Sequence, residues 1–179
     1  MTGDSVPIAL PLSRLASADG EAATLYRELR KPLLRYLVCL GLSSDEAQDV
    51  VQDAFLSLHR HLAAGGSQEN IRSWLFRVAH NRARNRQNRY DRRFGAPLDA
   101  KGELILDETT PERAVLDKEK FQQIAKAIRL LSASEQECLF LRAGGLRYRE
   151  IGEVLGISIS TVSDTVSRAI KKLAEKCNV

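Results

Sequence analysis

Between Leu146 and Leu173 the apolar residues form two helical stripes divided by one glycine-containing corner, and few folds accept that arrangement. Ile151 and Leu155 lie four apart on the first stripe, Val162, Val166 and Ile170 repeat at four on the second, and Gly156, Ile157 and Ser158 make the corner. Buried against each other, such stripes pin two helices across a tight turn, so that the second projects its remaining face outward, as entry into a DNA major groove requires. On that face lie Ser160, Thr161, Ser163, Asp164, Ser167 and Arg168, with Lys171 and Lys172 toward the end that would meet phosphates. An ordinary helical hairpin would use the same spacing, and a basic run is favoured near a helix C-terminus without any nucleic acid.

The remaining chain is helical in pattern too. Residues 1–20, with Pro7, Pro11 and Gly20, have no sustained period and read as a flexible leader. From Glu21 a helix is predicted through Leu25, Leu29, Leu33, Tyr36, Leu37 and Leu40, kinked or divided at Pro32 and capped at Gly41. Ser43 and Glu46 have capping-box spacing before a stripe of Ala47, Val50, Val51, Ala54, Phe55, Leu58 and Leu62. The opposite face holds Asp45, Asp49, Gln52 and Asp53, and Gly65 and Gly66 end the helix. A third helix opens on Ile71, Trp74, Leu75 and Val78 and then turns basic. Residues 94–111, with two glycines and two prolines among acidic residues, have linker composition. Helical spacing resumes from about Glu112 through Val115, Phe121, Ile124, Ile128 and Leu131, with Ser134 and Glu137 offered as a second capping box and Gly144 and Gly145 as punctuation. The expected fold is all-α: a helical bundle over 21–93 and a helix-turn-helix domain over 112–179, joined by a flexible linker at 94–111.

A net charge of +4 says little about partners, but its distribution says more. Arg72 to Arg93 holds eight arginines and one aspartate, a local net of +7, while Leu98 to Glu112 has a local net of −4. Trp74, Phe76 and Tyr90 interleave with the arginines as a single-strand surface needs: rings stack on unpaired bases, about 1–3 kcal/mol each, while guanidinium groups hold phosphates. The alternative places Trp74 in the core and leaves the arginines as a solvated face.

No catalytic set is apparent, and no cofactor or metal is expected. His59 and His61 are two apart and point to different helix faces, and His80, amid arginines, reads as a surface or DNA-side residue. The three cysteines are widely spaced and odd in number, which suits a reducing compartment. No run approaches the roughly 18 apolar residues of a membrane span, and the start has no signal-peptide pattern. A cytoplasmic, non-enzymatic protein is the expectation.

Three segments in order, DEAQDVVQDAFLSLHRHL, IRSWLFRVAHNRARN and LRYREIGEVLGISISTVSDTVSRAIKKL, resemble the motif set of extracytoplasmic-function sigma factors of the sigma-70 family. The resemblance runs from about Leu25 to Leu173 and implies a protein that binds core RNA polymerase and directs promoter-specific initiation. It implies docking of Asp45, Asp49, Gln52 and Asp53 on the β′ clamp helices, with a second polymerase contact at the β flap. Melting and reading of the minus-ten element would fall to Trp74, Arg77, Asn81, Arg82, Arg84 and Asn85, with the loop Gly65 to Asn70 bordering a flipped base. The duplex minus-thirty-five element would be met by Arg142, Ser160, Thr161, Ser163, Asp164, Ser167, Arg168 and Lys171. The family commonly has basic residues near Ser163 and Thr165, and Asp164 adds a negative charge, so phosphate anchoring by this helix is expected to be weaker than usual. The acidic linker would run toward the polymerase active-centre channel, and an anti-sigma factor is a partner often found in the family. The rival is a stand-alone helix-turn-helix regulator that binds duplex operators as a dimer.

Overall fold

The computed structural model describes the backbone of residues 12–94 and 114–177, and the side chains of 20, 22–89 and 122–176. Among the described residues seven helices follow one another: α1 (Leu12–Cys39), α2 (Ser44–Ala63), α3 (Ile71–Phe94), α4 (Ala114–Arg129), α5 (Ala133–Ala143), α6 (Tyr148–Leu155) and α7 (Ile159–Cys177). Among the described residues there is no strand. The first eleven residues of the expected leader, and the linker from residue 95 onward, lie outside the described residues.

Local chemistry explains most helix ends. The Ser43 hydroxyl accepts from the Glu46 backbone N–H, and the Glu46 carboxylate accepts from the Ser43 N–H at 3.0 Å, so two orphan donors of α2 are satisfied. Its apolar stripe, Ala47 through Leu62, is buried throughout. Gly41 takes φ +92°, the left-handed turn that lets the Leu42 N–H reach the Leu37 carbonyl at 3.2 Å and close α1.

Three expectations about elements need correction. α1 begins at Leu12, well before Glu21: the stretch LSRLASADGEAA is rich in leucine and alanine, and Gly20 lowers helix propensity without interrupting it. Pro32 does not divide that helix, which continues to Cys39. The cap of α5 is Ser132 with Glu135, not Ser134 with Glu137: α4 and its closing turn run to Leu131, so Ser132 is the residue left extended at φ −65° and ψ 159°. Glu137 lies inside α5 and faces another helix.

The corner between α6 and α7 is built as its sequence implies. Gly156 adopts φ +69°. Ser158 accepts a hydrogen bond from the Thr161 N–H at 3.1 Å, capping α7. Gly152 leaves room for the returning chain, since a Cβ there would lie 2.7 Å from the Ile157 carbonyl oxygen. Ile151, Val154, Val162 and Val166 are buried together. Ile170 is not: it is 53% exposed, and Ala169, three residues after Val166, continues the buried stripe.

The helices before and after residues 95–113 pack on one another. α1 packs on α5 and α3 on α6, and one buried cluster runs from Leu29, Tyr36 and Phe76 to Cys138, Leu141, Leu146 and Ile151.

Candidate nucleic-acid interface and partner surface

α3 combines a core half and a basic half. Leu75, Phe76, Ala79 and Ala83 are buried, which fixes the rotation of the helix and turns Arg77, Asn81 and Asn85 into solvent. Asn81 and Asn85, four apart, share one face. Their amides both donate and accept, and their side chains take no hydrogen-bond partner among the described residues.

Arginines border that strip on both sides, and each is already held. On one side Arg82 bonds Asp53 at 3.4 Å and the Ser57 hydroxyl at 2.8 Å, and Arg86 lies 3.6 Å from Asp49. On the other, Arg84 meets Glu137 of α5 at 3.2 Å. The first two pairs are half-exposed, so each is worth at most about 1 kcal/mol and is easily exchanged for another partner. The acidic strip of α2 and the basic face of α3 therefore adjoin and share ion pairs, a relation that their separate motifs do not reveal.

The aromatic expectation holds only in part. Phe76 is fully buried and unavailable for stacking. Trp74 is half-buried and stacks on His61 with ring centroids 4.8 Å apart. The Tyr90 side chain lies outside the described residues. His80 is not on the surface: it is 9% exposed, with Nδ1 2.6 Å from the Tyr36 hydroxyl. Burial, helped by the nearby Arg84 charge, pushes its pKa down to about 4, so the ring is neutral and shares one hydrogen bond with the phenol. Burial also drives the Tyr36 hydroxyl well above its ordinary value.

On α2, Asp45, Asp49 and Gln52 are exposed and Asp53 is half-buried. Beside them an open groove of about 470 Å³ runs between α1 and α2, floored by Leu34, Val51 and Phe55, with Leu56 49% and Tyr26 41% exposed at its rim. Of the acidic strip's residues only Gln52 lines the groove, whose other polar residues are Gln48, Arg30 and His59, so the carboxylates lie beside the apolar side chains and not around them. Carboxylates there can set register, and the apolar side chains supply contact area, for a basic helix.

In the C-terminal helices, Ser160, Thr161, Asp164, Ser167, Arg168 and Lys171 are exposed and Ser163 is half-buried. Arg142 is exposed but positioned, its Nη1 donating to the Leu146 carbonyl at 3.0 Å and its guanidinium 5.6 Å from the Tyr148 ring centre. Thr165 is buried and does not face a groove. Lys172, expected near phosphates with Lys171, instead reaches both carboxylate oxygens of Glu135 at 2.8 and 2.9 Å. Those bonds, with the Ser132 N–H, hold the nearly buried Glu135 carboxyl below its ordinary pKa.

Among the described residues no group of three or more His, Cys, Asp or Glu is placed to hold a metal, and no helix is long and apolar enough to cross a membrane. Burial raises the Cys39 thiol to about 12 and the Cys138 thiol above its ordinary value, so both are poor nucleophiles.

Residues 25–93 match the family model described as sigma-70 region 2, and residues 121–173 match that of sigma-70, region 4. The RNA polymerase sigma factor YlaC of Bacillus subtilis is 31% identical over 148 residues, covering 81% of this chain and 85% of that protein. The RNA polymerase sigma factor NccH of Alcaligenes xylosoxydans xylosoxydans is 31% identical over 178 residues, covering 97% and 95%. Among solved structures, the sigma factor RpoE of Bartonella quintana, in complex with the anti-sigma factor NepR, superposes with a TM-score of 0.64 at 26% identity, over 90% of this chain and 98% of that one.

Proposed function

The chain belongs to the extracytoplasmic-function sigma factors of the sigma-70 family, a premise from which we propose how its surfaces divide the work of promoter-specific initiation. The carboxylates and amide of α2, Asp45, Asp49, Gln52 and Asp53, dock on the β′ clamp helices of core polymerase, with the adjoining apolar groove as contact area. The strip Arg77, Asn81 and Asn85 receives the melted minus-ten strand: the amides select base edges, and Arg82 and Arg84 neutralise backbone charge. Trp74, held by His61, marks the end of the strip nearest the loop before α3 and stacks on an unpaired base. α7 enters the minus-thirty-five major groove with Ser160, Thr161, Ser163, Asp164, Ser167 and Arg168, while Arg142 and Lys171 meet phosphates. The C-terminal helices also provide the β flap contact.

The observation that carries this reading is the adjacency of the α2 carboxylates and the α3 basic strip on neighbouring helices. A likeness to a sigma factor crystallised with its anti-sigma factor supports a regulatory protein of that kind as a partner here. The operator-binding regulator is not favoured, because the matched families cover both halves of the chain in sigma-factor order.

Replacing Asn81 or Asn85 by Ala tests the central assignment. Permanganate footprinting with core polymerase is expected to show reduced opening or altered minus-ten preference, while core binding stays native. Asp49→Ala with Asp53→Ala is expected to do the reverse. Normal opening and preference in both asparagine variants would remove them from the assignment.

A further inference from the structure

His61 stands in the last turn of α2, where the chain turns toward α3, and three separate contacts meet on it. Its ring stacks on Trp74 with centroids 4.8 Å apart. Its Nε2 lies 3.0 Å from the Ser67 carbonyl oxygen, and since a carbonyl can only accept, the ring nitrogen donates. Its own backbone carbonyl accepts from the Gly66 N–H at 2.8 Å. One residue therefore clasps the loop twice and the first turn of α3 once.

The loop closes the circuit from its other end. Asn70 takes φ +55°, a left-handed conformation that asparagine adopts more readily than most residues, and its carbonyl accepts from the Trp74 N–H at 2.9 Å. Ser67, Gln68, Glu69 and Asn70 are exposed, so burial does little to fix the outline of this loop. Gly66 is matched to the ring: a Cβ there would overlap the His61 imidazole. Its φ is not left-handed, so the fit to His61, and not the turn, is what calls for glycine.

We propose that His61 is a positioning residue for minus-ten specificity: its ring N–H fixes the outline of the loop 64–70 while the ring itself fixes the indole beside it, so that an unpaired base meets a preformed surface made of both. This rests on the assignment of α3 to the melted minus-ten strand. His61 itself meets no base; it acts through Ser67 and Trp74. Ordering side chains and loops at the moment of binding weakens an interface, and here that ordering is done in the free chain, so loss of His61 lowers promoter opening by about three- to tenfold.

The two side-chain contacts are read separately. Trp74 is the chain's single tryptophan, so acrylamide quenching of intrinsic emission in the free full-length chain reports how well the indole is covered. Holoenzyme assembled with core polymerase, given selected promoter fragments randomised again over the minus-ten element, reports base preference and, by permanganate, opening. His61→Ala is expected to uncover the indole, slow opening by that factor and flatten the minus-ten preference. His61→Phe keeps a ring on Trp74 but cannot donate to Ser67, so the indole stays covered while opening and preference are altered. His61→Gln keeps an N–H of similar reach, so preference is restored while the indole is uncovered. Gly66→Ala, which displaces the ring from outside it, behaves as His61→Ala. Helix content by circular dichroism, core binding and minus-thirty-five preference are expected to be native in all four; a parallel loss of core binding and of both element preferences marks a merely structural role and overturns the proposal. Native opening and minus-ten preference in folded His61→Phe and Gly66→Ala, with Trp74→Ala defective, overturns the role of His61 alone. Native behaviour in Trp74→Ala, Asn81→Ala and Asn85→Ala as well overturns the assignment of α3 on which it rests.

Discussion

The His80–Tyr36 pair makes this fold acid-sensitive in a calculable way. His80 titrates near 6.5 when exposed and near 4 in the folded chain, so the folded state binds fewer protons over that interval. Its contribution is complete above pH 6.5 and is lost as pH falls from there toward 4. Linkage gives a loss of about 2 kcal/mol between pH 8 and pH 5. Allowing for solvent at the ring edge reduces this to about 1–2 kcal/mol. His80→Gln keeps an acceptor for the Tyr36 hydroxyl but removes the titration. Urea unfolding followed by circular dichroism at 222 nm, at both pH values, is expected to show the variant losing about 1–2 kcal/mol less than native between them. Other groups titrate in both proteins and cancel in the difference. Parallel losses would refute a buried, neutral His80, and with it the anchoring of α3 on α1.

Adjacent lysines on α7 are expected to behave differently. Lys171→Met should leave the melting temperature unchanged and lower the salt slope of duplex binding by about 1, whereas Lys172→Met, which strands the Glu135 carboxylate, should cost about 1–3 kcal/mol in thermal unfolding. At the corner, Gly156→Ala meets open space and should cost only the left-handed strain of about 1–2 kcal/mol. Gly152→Ala, blocked by the Ile157 carbonyl, should cost more and also weaken duplex binding. Equal losses within either pair would show that the contacts described do not set those energies.

What the sequence made legible was local. Ser43 with Glu46, the stripe of α2 and the Gly156 corner are encoded within a few residues, and each appears in the structure where its spacing placed it. The α5 cap was misplaced because Ser132/Glu135 and Ser134/Glu137 have the same spacing, and only the end of α4 chooses between them. His80 and Phe76 were read by their arginine neighbours, yet a helix turns successive residues through about 100°, so residues beside surface arginines can face the core. The contact between α3 and α5 was illegible: Arg84 and Glu137 are 53 positions apart, and neither belongs to a motif that names the other. One signal was available, a glutamate beside the apolar run Cys138 to Leu141, where a charge needs a partner.

The most direct test of the account is in vitro transcription from a promoter-fragment library by core RNA polymerase of the source organism, with and without this protein. The account predicts sequence-selective initiation only in its presence, with both a minus-ten and a minus-thirty-five element recovered from the selected fragments. Absence of selective initiation and of core binding, together with a specific duplex footprint by the protein alone, would contradict it.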